Sequence, residues 1–261
     1  MEILKLLITP LGTINKKTLM VLIFTEIIFA LLFWQLTAGE LIPAPGKVGH
    51  SVIAIISSTN FWDNLFSSLS LTFQGMGYSI IISIIISYLA LIPLFRPIAD
   101  FVIKCRYLTL AGLVFLFTLL TDNGHQLKIS LLIFGIVPFF TTSLLSVFDS
   151  INVQEYELCT TLRMNRWQTL WEVIILGRLD QVFEVMRQNF AISWMMITMV
   201  EGLNMSEGGL GTMLIKSNKY IDLGQVFGLL SIVLLIGIMF DFLLGQMRYW
   251  LFPYAKIQTL K

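Results

Sequence analysis

Charged side chains are scarce in this sequence: they make up 13% of 261 residues, about half the share found in ordinary globular domains. A soluble protein of this length needs more polar surface than these residues can supply. The 56% share of hydrophobic residues therefore predicts an integral membrane protein. The formal net charge of +1 argues against a nucleic acid as a partner, because proteins that bind nucleic acid carry a basic surface.

Residues that ligate metals or form disulfides are also few. The two cysteines, Cys105 and Cys159, fall on the side of the membrane that the charge pattern below assigns to the cytosol. Thiols stay reduced there, so both are expected to be small packing residues. The two histidines, His50 and His125, stand far apart and lack cysteine or carboxylate support. We therefore predict no metal site.

A phosphate-binding loop is missing as well. The pattern Gly-x-x-x-x-Gly-Lys-Ser/Thr does not occur, and Gly46-Lys47-Val48 lacks both the preceding glycine and the hydroxyl. The chain is therefore not expected to be an ATPase. A membrane-embedded enzyme is an alternative, but it needs paired ionisable or metal-ligand groups at mid-membrane depth, where the spans offer little beyond Glu26. The role of Glu26 stays open.

Long apolar segments predict the fold. Six of them reach about the 20 residues that cross a bilayer as a helix, and they are far longer than the strands of a membrane barrel. They are Leu19–Leu36, Leu69–Phe95, Ile98–Leu120, Leu127–Phe148, Phe183–Met205 and Gln225–Gly245. We expect an all-α integral membrane fold with about six transmembrane helices. The turn between the second and third helices lies between Pro93 and Pro97.

The basic residues set the predicted orientation, because short cytosolic connections carry an excess of Lys and Arg. With both termini in the cytosol, 13 of the 17 basic residues lie inside and 4 outside. The inner residues are Lys5, Lys16, Lys17, Arg96, Lys104, Arg106, Arg163, Arg166, Arg178, Arg187, Arg248, Lys256 and Lys261. The outer residues are Lys47, Lys128, Lys216 and Lys219.

The chain divides into three parts on this basis. Residues 1–64 hold the N-terminal tail, the first helix and an outer loop. Residues 65–250 form the core domain, in which a cytoplasmic loop, 149–178, lies between helices four and five. Residues 251–261 form a cytoplasmic tail.

The polar loop Asp149–Arg178 is predicted to form two short helices joined by a turn. Asp149-Ser150 can cap the first helix, near whose positive end Glu155 and Glu157 are favoured. Apolar positions at helical spacing give this helix one apolar stripe, formed by Leu158, Thr161 and Leu162.

The turn of the loop is expected where polar residues follow this stripe. Arg163, Asn165 and Arg166 interrupt the pattern, and asparagine tolerates the left-handed conformation that ends helices. A second amphipathic run, from Trp167 to Ile175, then leads back to the membrane. A loop of this kind is suited to docking a soluble partner.

These residues resemble the EAA loop of ABC-importer permeases, whose pattern is Glu-Ala-Ala, three residues, Gly, nine residues, Ile-x-Leu-Pro. Glu157-Leu158-Cys159 stands at Glu-Ala-Ala, Arg163 at the glycine, and Val173-x-Ile175-Leu176 at Ile-x-Leu-Pro. The turn glycine and the closing proline of the motif are both replaced. Asn165 could take over the turn.

Further landmarks resemble the permeases of nitrate, sulfonate, taurine and bicarbonate importers. Leu41–Val48 is similar to the segment after the first helix of that branch. Arg106-Tyr107-Leu108 and Phe115-Leu116-Phe117 are similar to its third helix, with Thr109 in place of a usual proline. Glu201, followed by Gly208-Gly209-Leu210-Gly211, is similar to the glutamate and Gly-Leu-Gly after its fifth helix.

The resemblance implies a homodimeric or pseudo-dimeric pore in the bacterial inner membrane. A cytosolic ABC ATPase subunit would use ATP and Mg²⁺, an extracytoplasmic solute-binding protein would deliver the solute, and this chain itself would bind no cofactor. The residues expected to couple to the ATPase are Glu155, Glu157, Thr161, Leu162, Arg163, Asn165, Arg166 and Trp167. Those expected at a gate or along the path are Met196, Glu201, Gly208, Gly209 and Gly211.

Two questions stay open at the level of sequence. The branch suggests a small anion such as nitrate, a sulfonate, taurine or bicarbonate, but the residues do not say which. Because Arg163 and Leu176 replace the motif's glycine and proline, a degenerate permease that acts as a non-transporting scaffold or sensor is an alternative function.

Overall fold

The computed structural model describes residues 15–39, 42–205 and 207–254. Lys5, Lys256, Lys261 and the start of the Leu41–Val48 landmark lie outside these ranges. All regular structure in the described residues is helical, as expected where backbone polar groups must be satisfied within each membrane segment. The helices are α1 Lys16–Thr37, α2 Pro45–Ser57, α3 Thr59–Leu89, α4 Arg96–Lys104, α5 Leu110–Leu120, α6 Gly124–Asp149, α7 Val153–Thr161, α8 Arg166–Thr169, α9 Leu179–Leu203, α10 Leu210–Lys219 and α11 Leu223–Leu251.

The all-α membrane fold is confirmed, with four to five candidate spans among the described residues where about six were expected. Within the described residues, α1, α3, α6 and α11 are long and apolar enough to cross a membrane. The predicted fifth span corresponds to α9, which has 25 residues but is too polar to qualify by composition. Its polar side chains are tolerated because several of them, including Asp180, Asn189 and Glu201, are buried against neighbouring helices.

The predicted third span, Ile98–Leu120, is not one helix. A 3₁₀ turn, Cys105–Tyr107, follows α4, and Leu108 and Thr109 then adopt extended backbone angles before α5 begins. The axes on either side of this break differ by 114°. Neither half is long enough to span the roughly 30 Å hydrocarbon layer alone.

The connection after α1 is also helical, although an outer loop was expected there. Pro45 occupies the first turn of α2, where its fixed φ suits a helix start. This helix packs along α11, where two glycines permit close approach. A Cβ at Gly228 would lie 3.0 Å from the Ile55 side chain, and one at Gly224 would lie 2.9 Å from the Ser51 hydroxyl.

The core is the seam between α3 and α6. One face of α3 carries small residues at nearly every fourth position, and all of them are fully buried: Ser68, Thr72, Ser79, Ser83 and Ser87. Gly75 continues this face, and a Cβ there would lie 3.0 Å from Leu132 of α6. Small residues of this kind let two membrane helices approach closely and gain van der Waals contact. The seam holds α3 and α6 as a rigid scaffold for the sites at its two ends.

Candidate functional site

The first short helix of the polar loop begins later than predicted. Asp149 is the last residue of α6, and the cap of α7 is Asn152, whose side chain accepts a 3.2 Å hydrogen bond from the Gln154 backbone N–H. The expected cap at Asp149-Ser150 is therefore wrong. Asn152 can cap the helix because its extended backbone lets the side chain reach the free N–H groups of the first turn. Glu155 lies in that first turn, as predicted.

The turn of the loop is formed by Arg163, at the position where the family motif has glycine. Arg163 has φ of 56°, in the left-handed region that favours glycine. Its N–H donates to the Thr160 carbonyl and the Met164 N–H donates to the Cys159 carbonyl, both at 3.0 Å. These two bonds form a Schellman motif, the common glycine-dependent end of a helix.

Asn165 does not make the turn, contrary to the expectation. Its backbone is extended and it caps α8: its side chain accepts a 2.7 Å bond from the Trp167 N–H. Gln168 accepts a 2.8 Å bond from the Asn165 N–H in return. This reciprocal arrangement is a capping box, which fixes the start of the second short helix.

We call α7, α8 and the turn between them the knob. Most of the residues predicted to meet a partner are exposed there: Glu157, Thr161, Leu162, Arg163, Asn165, Arg166 and Trp167. The predicted apolar stripe faces outward, since Leu158 is 60% exposed and Leu162 64%, and Trp167 of the second helix is 67% exposed. Large exposed apolar side chains with charged neighbours along the chain, such as Glu157 and Arg166, are typical of an interaction site.

A groove lies between the knob and the turn that precedes α4. Its volume is about 580 Å³, and its walls include Leu91, Pro93, Tyr156, Met164 and Trp167. Desolvation raises the pKa of the Tyr156 hydroxyl. The groove therefore combines apolar walls with a neutral phenol.

Glu155 points back into the protein. Its carboxylate accepts a hydrogen bond from the guanidinium of Arg178, which is 16% exposed. The Arg178 Nε is buried and has no hydrogen-bond partner among the described residues. Glu155 therefore ties the knob to the start of α9.

The segment between the knob and α9 has an irregular helical backbone. Leu170–Ile175 forms a π-helix and Leu176–Arg178 forms a 3₁₀ turn. Leu176, which replaces the proline of the family motif, begins the 3₁₀ turn. Short stretches of π- and 3₁₀-helix often mark functional joints.

A second site lies at the opposite end of α9 and brings together four of the five predicted gate residues. Glu201 is fully buried. Its carboxylate accepts hydrogen bonds from the Ser68 hydroxyl at 2.6 Å and from the Gly211 N–H at 2.8 Å. We call Asn64, Ser68, Lys128, Glu201 and the segment 208–212 the Glu201 cluster.

Two glycines of this cluster are required by close approach. Gly209 has φ of 110°, and a Cβ there would lie 2.2 Å from the Glu201 carboxyl carbon. A Cβ at Gly211 would lie 2.1 Å from the Thr198 carbonyl oxygen. The chain can therefore pass over the carboxylate only with glycine at both positions.

The sequence analysis missed three members of the cluster. Asn64 accepts a 2.6 Å bond from the Gly209 N–H, and Ser68 accepts a 2.9 Å bond from the Leu210 N–H. Lys128 was counted only as an outer basic residue, yet it is 1% exposed and donates to the Gly208 carbonyl at 3.3 Å. Its charge also acts on the carboxylates of Glu201 and Glu207. The buried serine face of α3 was the available signal for Ser68.

Met196, the fifth predicted gate residue, lies elsewhere. It is half-buried in α9 and lies against Gly135 of α6, where an added Cβ would be 2.9 Å from the Met196 sulfur. The structure does not bring it to the Glu201 cluster. Glu26, whose role was left open, is exposed on α1.

A network of ion pairs joins α9 to α11 and was not foreseen. Arg187 bonds to Glu184 and to Asp241, each at 2.6 Å. Arg248 bonds to Glu184 at 2.8 Å and lies 3.7 Å from Asp180. These arginines had been interpreted only as orientation signals. They also hold the N-terminal part of α9 against the C-terminal part of α11.

Comparison with known proteins gives three matches. Residues 48–253 match the family described as binding-protein-dependent transport system inner membrane component. The taurine transport system permease protein TauC of Escherichia coli K12 is 23% identical over 228 residues, which cover 84% of this chain and 82% of the relative. A solved structure, described as an amino acid ABC transporter with histidines, superposes with a TM-score of 0.64. The two sequences are 16% identical, and the superposition covers 76% of this chain and 97% of the solved one. The likeness is one of fold.

Proposed function

This chain belongs to the family of binding-protein-dependent transport inner membrane components, and we propose that it couples solute passage to a cytosolic ABC ATPase through the knob. It is an ABC-importer permease of the inner membrane. In the proposed mechanism, closure of two ATPase subunits moves the knob. The movement passes through the irregular segment 170–178 into α9, and the helices rock between two packings.

The observation that carries this proposal is the left-handed turn at Arg163. The family motif has glycine there, and this chain retains the glycine-type backbone although the side chain is different. Glu157, Leu162 and Trp167 are all exposed on the knob that this turn shapes. The surface of the knob combines apolar contact area with charges of both signs and suits a protein partner rather than a lipid.

The proposed orientation places the knob in the cytosol. The excess of basic residues on its side, 13 against 4, supports this assignment. Both termini then face the cytosol, and the Glu201 cluster faces the binding protein outside. Two copies of this chain would enclose the path.

We propose the Glu201 cluster as the outer gate of that path. The backbone N–H groups of the segment 209–211 donate hydrogen bonds to side chains of α3 and α9, and these bonds hold the segment to both helices. Opening would require these hydrogen bonds to break together. A buried carboxylate with a lysine beside it is the costly, specific kind of polar contact that membrane proteins keep for function.

The proposed solute is a small sulfonate of the taurine type. The relative from Escherichia coli is described as a taurine transport permease, and it matches this chain over most of both lengths. Selection of the solute is assigned to the binding protein. The permease then needs only a passage that accepts a small zwitterion or anion.

The test is reconstitution of the chain with its cognate ATPase subunit and binding protein in liposomes. Glu157→Arg should reduce stimulated ATP hydrolysis and solute uptake at least tenfold, because it inverts a charge on the knob. Asp63→Arg is the matched control, since Asp63 is an exposed carboxylate at the opposite end of the fold. Unchanged hydrolysis in Glu157→Arg would refute the coupling role. Coupled hydrolysis without uptake of any solute would favour the alternative of a scaffold or sensor.

A further inference from the structure

The helix α4 has the two faces of an interfacial helix. Arg96, Asp100 and Lys104 follow one another at intervals of four and form a polar stripe. Ile98 and Phe101, which are exposed, and Cys105 lie on the other side. The 114° bend that follows directs α4 away from the axis of α5. An amphipathic helix with such a bend suits the boundary between hydrocarbon and headgroups.

An apolar cavity lies beneath the apolar face of α4. Its volume is about 430 Å³, within the range of small-ligand sites. Its walls come from four helices and include Ile86, Phe101, Val102, Cys105, Phe117 and Phe134. The bend between α4 and α5 creates this space, because a straight helix would carry residues 108–120 along the line of α4.

Two basic residues adjoin this cavity along the chain. Cys105 lines it, and its chain neighbours Lys104 and Arg106 are both exposed. Among the described residues, no carboxylate lies within ion-pair distance of either one. Arg106 contacts Tyr107, with a 3.2 Å bond to the hydroxyl and its guanidinium 5.1 Å from the ring centre. Arg96, in contrast, is engaged by Asp100 and Asp149.

We propose that this region binds an anionic phospholipid, with an acyl chain in the cavity and the phosphate between Lys104 and Arg106. Charge complementarity selects an anionic headgroup, because each basic residue near a membrane surface attracts such lipids. The walls are apolar except for Ser130 and accept the chain. The proposal does not depend on transport or on the ATPase.

The experiment uses the full-length chain in phosphatidylcholine vesicles that contain a minority of spin-labelled lipid, with the label near the end of the acyl chain. The immobilised fraction of the electron spin resonance spectrum reports bound lipid. Labelled phosphatidylglycerol should associate more strongly than labelled phosphatidylcholine. Lys104→Gln and Arg106→Gln should each lower that preference about fivefold. The control pair Lys216→Gln/Lys219→Gln removes two exposed charges elsewhere and should leave the preference unchanged.

A second variant tests the cavity separately from the charges. Val102→Phe fills part of the cavity and keeps both basic residues, so it should lower the immobilised fraction of both lipids. Equal association of the two lipids with the native chain would overturn the proposal. So would a preference that persists in Lys104→Gln/Arg106→Gln, or an immobilised fraction unaffected by Val102→Phe. Glycerol phosphate in solution should not displace the lipid, and displacement would assign the site to a free phosphate.

Discussion

The Ser68 hydroxyl donates a 2.6 Å hydrogen bond to the Glu201 carboxylate and accepts a 2.9 Å bond from the Leu210 N–H. One small side chain of α3 thus contacts both the end of α9 and the start of α10. The carboxylate beside it receives the Gly211 N–H as well. The three helices are therefore joined at a single buried point, at the end of the molecule away from the knob.

Replacement of Gly209 by alanine should disrupt this junction. The new Cβ would lie 2.2 Å from the Glu201 carboxyl carbon, on a residue whose φ of 110° already disfavours a side chain. We expect Gly209→Ala to destabilise the protein by at least about 2 kcal/mol and to abolish solute uptake. Thermal unfolding in detergent measures the first effect.

Gly77→Ala is the control for this variant. Gly77 lies within α3, and a Cβ there meets nothing within 4 Å. The substitution should leave stability unchanged or raise it by up to about 1 kcal/mol. Equal behaviour of the two alanine variants would show that the close approach at Gly209 is unimportant.

Restoration of the family glycine at Arg163 should stabilise the knob. Arg163 is in the left-handed region, which costs a residue with a side chain about 1–2 kcal/mol relative to glycine. Arg163→Gly should therefore raise the unfolding free energy by about 1 kcal/mol. Thr161→Gly, two residues earlier at the end of the right-handed helix α7, should lower the unfolding free energy by about 0.5–1 kcal/mol. A loss of stability in Arg163→Gly would mean that the arginine side chain makes a compensating contact.

We expect the ion pair between Glu155 and Arg178 to hold the knob in position rather than to contact the ATPase. Each single charge reversal, Glu155→Arg or Arg178→Glu, places like charges together and should reduce ATPase stimulation. The double reversal should restore most of it, because the ion pair then forms in the opposite sense. If Glu155 instead meets the ATPase directly, the double variant will remain as defective as Glu155→Arg.

The sequence predicted the membrane class, the helical fold and the helix–turn–helix of the knob because these depend on composition and periodicity, which are local. It did not predict the break at Leu108 and Thr109, where both residues suit an extended or a helical backbone and tertiary packing decides. The turn was expected at Asn165 for a similar reason, although Arg163 forms it. Asparagine is favoured in the left-handed region, but in the fold Asn165 is extended and caps α8.

Lys128 and Asn64 illustrate what periodicity cannot reveal. Their partners lie 80 and 145 residues away in the sequence, so only the assembled fold brings them to the segment 208–212. The serines of α3 recur at a regular spacing in the sequence, and we call the buried side they form the serine face. The spacing alone does not show which helix packs against that face. The glutamate and glycines of the same cluster were named because they resemble a family landmark that lies within one short stretch of the chain.

The serine face should tolerate no larger side chain, which gives the last prediction. Ser83 is fully buried at the seam between α3 and α6, where its hydroxyl lies 3.4 Å from the Val137 carbonyl oxygen. Ser83→Leu adds volume where the helices are in contact and should cost about 1–3 kcal/mol. Ser70→Leu makes the same change on the exposed face of α3 and should be nearly neutral. Thermal unfolding of both variants in one detergent provides the measurement. If their midpoints coincide, close packing of small residues is not what holds α3 against α6.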